Sequence, residues 1–313
     1  MKAALRVALI GGCVAIALWG IDFGLLWGTL RQYDPVRLLM IVGFSITGYI
    51  ILGLRLRMLV SDPQVPGRAF LHASVLALGV NNVLPARLGE FAKAAYLAGR
   101  SKRSTAALLA AVFWERFLDL HALLFLVALW FLMNGDAGPV APLALGIAGL
   151  WALIFTARNQ RDRLQRWIDR LPGKKLAAIG SDILSHINRG IARDAIGPLV
   201  AFTMILWAIY AIQLSLVLVW VAGLPIGFEA VLVAFVLSTA GMVLPLSPGS
   251  IGVYEALVVL ALSWYGVERE SALAAAFAAH MLQYVPTTIW ALTITATSKL
   301  SLLSSRSPTT APS

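Results

Sequence analysis

Two short stretches of the chain, 160 residues apart, carry the residue types that bind anions and move protons. The first reads Val83-Leu84-Pro85-Ala86-Arg87-Leu88-Gly89-Glu90. The second reads Val243-Leu244-Pro245-Leu246-Ser247-Pro248-Gly249-Ser250-Ile251-Gly252-Val253-Tyr254-Glu255. Each is an apolar run stopped by proline, then a turn of small residues, then an apolar-Gly step and a glutamate. A helix that starts after such a turn presents free backbone N–H groups and the positive end of its dipole. In the first stretch Arg87 adds a bidentate donor that suits a lipid phosphate. Asn82, with Asn81, stands where it can hydrogen-bond the exposed backbone of the turn. The second stretch has no cation, but Ser247, Gly249, Ser250 and Gly252 can hold an anionic headgroup through hydroxyls and backbone amides. It lacks the GxxxxGK spacing of a nucleotide-binding loop.

Glu90 and Glu255 hold matching places in the two stretches. Carboxylates inside an apolar region are costly, and in transporters they carry protons or cations; the other reading is that each pins its own turn. Glu115 and Asp119 are four apart and share a helix face, and Arg116 can pair with Asp119 three residues on. Glu90 to Glu115 is 25 residues, and Glu255 to His280 is also 25. This echo points to a proton and charge network of Glu115, Arg116, Asp119 and His280. Adhesion between helices is the alternative use of such a cluster. Asp22 and His121 each read as structural.

The elements that must position these residues are membrane helices. The chain of 313 residues is 59% hydrophobic and only 13% charged, with a mean hydropathy of +0.82. Soluble domains carry about 25% charged residues, and several apolar runs exceed the roughly 18 residues that cross a bilayer. Full spans are expected at 5–30, 35–54, 104–133, 140–157, 196–222 and 271–297. Between them lie two proline-broken pairs of short apolar stretches, 69–84 with 88–98 and 229–245 with 249–265. Residues 158–194, with nine Arg or Lys against four Asp, read as a basic amphipathic surface segment. The Ser/Thr/Pro-rich 302–313 reads as a disordered tail, and 1–301 as one transmembrane domain. A single cysteine, Cys13, excludes a disulfide framework, and no cofactor is expected.

The net charge of +10 does not point to nucleic acid, because the basic residues concentrate in loops between spans. With both termini in the cytoplasm and each broken pair re-entrant, 19 basic residues, Arg55 and Arg57 among them, fall inside and three fall outside. That is the asymmetry of the positive-inside rule. The fold class is therefore an all-α integral membrane protein. Six full spans and two broken or re-entrant hairpins form an inverted-topology repeat, about 5–133 and 138–297. Eight complete crossings remain the alternative. Interrupted helices in inverted repeats place a transport site between the halves.

The segments 81–90, Glu115-Arg116-Phe117-Leu118-Asp119 and 248–255 together resemble the transmembrane region of lysylphosphatidylglycerol synthase, a flippase-like domain found fused or alone. The resemblance covers about 5–297. It implies movement of a lipid between leaflets: an aminoacylated phospholipid, a hopanoid or a polyprenyl-linked glycolipid. The soluble synthase domain of fused members does not follow within these residues, so aminoacyl transfer is not expected. The expected setting is the cytoplasmic membrane, with membrane lipids as partners and envelope-lipid biosynthesis proteins as further ones. The oligomeric state stays open. Two other readings stand beside the translocase. One is a membrane lipid phosphatase with Ser250 as nucleophile, His280 as base and Glu255 as metal ligand. The other is an accessory scaffold in an envelope-lipid pathway.

Overall fold

The computed structural model describes residues 23–84, 87–170, 173, 177, 180–181, 184–185, 193–243 and 247–297. Cys13, Asp22, Pro85, Pro245, most of 171–192 in the basic segment and the tail lie outside them. Among the described residues every regular element is helical. In chain order they are α1 (Phe23–Arg31), α2 (Pro35–Val60), α3 (Gly67–Val83), α4 (Gly89–Ala98), α5 (Thr105–Met133), α6 (Val140–Asn159) and α7 (Arg161–Ile168). Then follow α8 (Arg193–Ser215), α9 (Phe228–Val243), α10 (Val253–Ser263) and α11 (Arg269–Thr297). Three stretches are long and apolar enough to cross a membrane, Pro35–Val60, Thr105–Met133 and Ala195–Val221. The chain is a multi-pass, all-α membrane protein. No residue of α7, the described start of the basic amphipathic segment, is buried.

Local chemistry sets the helix ends. Asp34 caps α2 by accepting from the Val36 N–H at 2.8 Å, with Pro35 as the first helical residue. The Ser104 hydroxyl does the same for α5 through the Ala107 N–H at 3.1 Å. α8 runs on into a π-helical turn, Leu216–Val221, and Arg37 donates to the Trp220 carbonyl there at 2.6 Å.

Both proline-broken pairs fold back on themselves. Leu84, before Pro85, is extended (φ −103°, ψ 139°), because a residue preceding proline is pushed out of the helical region. The chain reverses through Arg87 at φ 54°, and α4 returns along α3. Gly89 lies flush on α3: a Cβ there would collide with the Ala77 carbonyl and the Asn81 side chain. In the second pair, Gly241 of α9 lies equally close to the Leu257 side chain of α10. Gly89→Ala is therefore expected to lower stability by about 1–3 kcal/mol, since the obstacle is backbone that cannot step aside. Thermal unfolding in detergent micelles measures this, and an unchanged midpoint would mean that the arms are not in contact.

α11 is the spine between the hairpins. Its buried alanines, Ala272 to Ala279, pack in the core around α9 and α10. Farther along, Ala291 and Ile294 pack in the core of α3, α4 and the end of α2. Small residues allow the close approach, as membrane helix contacts require. A Cβ on Gly79 of α3 would collide with Ala291 and the Thr287 carbonyl. Because α11 runs antiparallel to α3, it carries one hairpin on each half of its length.

Candidate functional site

The two hairpin tips meet beside Tyr284, the sixteenth of the 29 residues of α11, some 20 Å from either end of that helix at 1.5 Å per residue. Tyr284 donates its hydroxyl to the Asn82 carbonyl of the first tip at 3.0 Å. The Asn82 amide nitrogen faces the Tyr284 carbonyl (3.1 Å) and the hydroxyls of Thr287 (3.0 Å) and Thr288 (2.9 Å). Gly249, at φ 58° in the second tip, packs against both the Tyr284 ring and the Asn82 carbonyl. Asn81 accepts from the Gly89 N–H at 2.7 Å and so serves exposed backbone at the turn, whereas the Asn82 side chain reaches across to α11 instead.

Arg87 spans from the first hairpin to the second. Its Nη2 donates to the Met242 carbonyl at 2.5 Å, in the last turn of α9 at the negative end of that helix. A non-glycine residue held in the left-handed region costs about 1–3 kcal/mol, and this bond is what the strained backbone secures. Arg87 stays partly exposed, with its guanidinium within electrostatic reach of Glu90, Arg116 and Asp119.

Those groups belong to a charge network in the first half. Lys93 bridges Glu90 (3.3 Å) and Glu115 (2.9 Å). Arg55 forks onto Asp119 at 2.6 and 3.3 Å, touches Thr203 at 3.3 Å, and lies 3.8 Å from Glu115. Arg116 pairs with Asp119 at 3.2 Å and Glu90 at 3.6 Å, and the Trp207 indole donates to Asp119 at 3.3 Å. Three cations thus balance three carboxylates. The network is graded in depth: Arg55 and Glu115 are fully buried, Glu90 and Asp119 nearly so, and the Arg116 side chain is 41% exposed. Just along α5 from Asp119 opens an apolar cavity of about 410 Å³, lined by Phe125, Leu126, Trp207, Ala211 and Val231 among others. Trp207 lines the cavity and bonds the network at once.

In the second half the same framework is simpler. Glu255 pairs directly with His280 at 2.6 Å and reaches back to the Gly252 N–H at 2.8 Å. His280 Nε2 faces the Gly249 carbonyl at 2.9 Å. The 25-residue echo is therefore a contact in both halves, direct for Glu255 and His280, and relayed by Lys93 for Glu90 and Glu115. Ser247 bonds its own tip, to the Ile251 carbonyl at 2.8 Å, and Ser250 and Gly252 lie in left-handed backbone at φ 58° and 83°. His121 donates to the Phe117 carbonyl and accepts from Trp151 at 3.0 Å, a structural role. Among the described residues no three His, Cys, Asp or Glu side chains gather as a metal site.

One assignment needs correction. Arg55 does not sit in a cytoplasmic loop: α2 continues to Val60, and its carboxylate partners on α5 draw Arg55 into the interior. Lys93 is a network member that the sequence reading passed over, although its i,i+3 spacing from Glu90 was visible. Thr203 and Trp207, contributed by α8, carried no such signal.

A search of curated proteins finds no match to this chain. The family model described as the lysylphosphatidylglycerol synthase TM region matches residues 3–291, and the chain belongs to that family.

Proposed function

We propose that the protein is a lipid translocase of the cytoplasmic membrane, with its headgroup site where the two hairpin tips meet. The observation that carries this reading is Arg116: an arginine inside a membrane-spanning helix, 41% exposed, on the same helix whose Ala122, Phe125 and Leu126 line an apolar cavity of about 410 Å³. A cation at mid-depth is retained for a polar cargo or for a partner, and Arg116 keeps free surface after both of its ion pairs. An anionic phosphate reaches Arg116 and the partly exposed Arg87, while a hydrocarbon chain enters the cavity between α5, α8 and α9. Family membership supports a role with membrane lipids. With Arg55 moved to the interior, the remaining basic residues still favour cytoplasmic termini. Lipids are the partners in this reading, with proteins of envelope-lipid synthesis as further ones, and no covalent chemistry is assigned. Both His280 nitrogens are engaged, by Glu255 and by the Gly249 carbonyl, which leaves none to activate Ser250.

The test is reconstitution in vesicles with fluorescent anionic and zwitterionic phospholipids, scoring leaflet exchange and phosphate release together. Arg116→Ala should slow exchange of the anionic probe roughly 10- to 100-fold, the range of a lost charge-assisted hydrogen bond. Exchange equal to wild type would remove Arg116 from the path. Phosphate release that disappears in Ser250→Ala would establish the enzyme reading instead.

A further inference from the structure

We propose that Glu255 and His280 form a proton-binding site, and that its occupancy sets whether the two hairpin tips stay joined. The protonation of this pair is independent of lipid binding and is set by its donors and acceptors. The Gly249 carbonyl can only accept, so His280 Nε2, 2.9 Å away, carries a hydrogen. On the other side of the ring, Nδ1 lies 2.6 Å from Glu255 Oε1. Two bare lone pairs do not approach that closely, so a proton lies between them. The second carboxylate oxygen accepts from the Gly252 N–H at 2.8 Å. Imidazole and carboxylate together therefore hold two protons, one on Nε2 and one shared. The pair is neutral as a unit, whichever partner holds the shared proton.

Release of that proton leaves one negative charge on side chains that are 5% and 6% exposed, and sets two lone pairs face to face. Buried, unpaired charge is costly, and movement of the imidazole away from the carboxylate relieves it. The ring is gripped on both edges, so that movement also strains its bond to Gly249. Gly249 is the point where the second tip rests on the Asn82 carbonyl. One helical turn along α11, Tyr284 donates to that same carbonyl. The titrating pair is thus one hydrogen bond away from the seam between the tips.

The neighbouring elements supply the other groups that bear on the pair. Tyr254 and Tyr284 place their rings 4.7 and 5.9 Å from the imidazole. Arg87, at the first tip, is held on the Met242 carbonyl. Glu229 of α9 is bonded to Tyr265 at the far end of the hairpin. Arg269 and Glu270 stand in the first turn of α11, Arg68 and His72 near the start of α3, and Arg31 at the end of α1. Glu115, Arg116, Asp119 and His121 line α5, and Tyr210 belongs to α8. The three hydrogen bonds described for the pair run within the second hairpin and α11, so its proton is gained and lost there.

The test uses the full chain in lipid nanodiscs, with isotope-labelled histidine read by NMR and amide hydrogen exchange followed from about pH 5 to about pH 9. The His280 signal is assigned by its loss in His280→Gln. The expected result is that His280 loses its shared proton as pH rises, and that exchange at 247–252 quickens about tenfold or more over the same interval. Glu255→Gln keeps the closed geometry without a titrating proton: its amide donates to Nδ1 and its carbonyl accepts from Gly252. In that variant exchange at the tip should stay slow at every pH. A His280 that titrates without change in tip exchange overturns the proposal. So does a His280 that never titrates, or a Glu255→Gln protein with wild-type pH dependence. None of these readouts involves lipid movement, so this proposal and the translocase reading fail separately.

Discussion

Arg55→Met is expected to destabilise the protein by about 3–5 kcal/mol, the cost of removing one partner from a buried ion pair. Arg55 is the deepest cation of the network and fully buried. It joins three helices: it sits on α2, forks onto Asp119 of α5, and touches Thr203 of α8. Its loss leaves three carboxylates against Lys93 and Arg116, and the unbalanced charge falls where water cannot reach. Thermal unfolding of the purified variant measures the effect. A second variant separates charge balance from packing: adding Asp119→Leu to Arg55→Met removes one anion as well and should recover about half of the loss or more. If the double variant is no more stable than the single one, Arg55 acts through the helix contacts that its side chain fills and not through charge.

How far the architecture was legible follows from what kind of signal each part leaves. The hairpins were, because proline and glycine fix backbone directly: Leu84 had to be extended before Pro85, and Gly249 and Gly252 had to take positive φ somewhere. Hairpin arms fell within four residues of their expected ends. The correspondence of Glu255 and His280 with Glu90 and Glu115 was legible through the matching interval, whereas the direct Glu255–His280 bond is seen only in the structure. Arg55 was not, because hydropathy treats an arginine at the end of an apolar run as the start of a loop. Only the tertiary placement of Glu115 and Asp119 makes six further residues of helix worthwhile. Lys93 lay inside a short apolar arm, where one cation barely alters the pattern. The partner of Arg87 had no sequence signature at all, since it is a backbone carbonyl in the last turn of α9. That bond also alters what Arg87 is for. It clamps one hairpin to the other, and its headgroup role depends on the face left exposed.

Gly249→Val is expected to abolish lipid exchange, with a rate at least about tenfold below wild type, while costing only about 1–3 kcal/mol of stability. A β-branched residue is strained at φ 58°, and its Cβ would collide with the Tyr284 ring and press on the Asn82 carbonyl. The relief available is separation of the tips, which breaks the Tyr284 bond to Asn82. The hairpins themselves should survive. Their arms pack through Gly89 on Ala77 and Gly241 on Leu257, and each has its own core against α11. Gly223→Val supplies the control: Gly223 has a similar φ of 65°, yet a Cβ there meets nothing within 4 Å. That variant carries the same backbone strain without touching the seam and should exchange lipid normally. Equal loss of exchange in both variants would assign the effect to strain. Wild-type exchange in Gly249→Val would place the path along Arg116 and its cavity alone, with the joined tips as scaffolding.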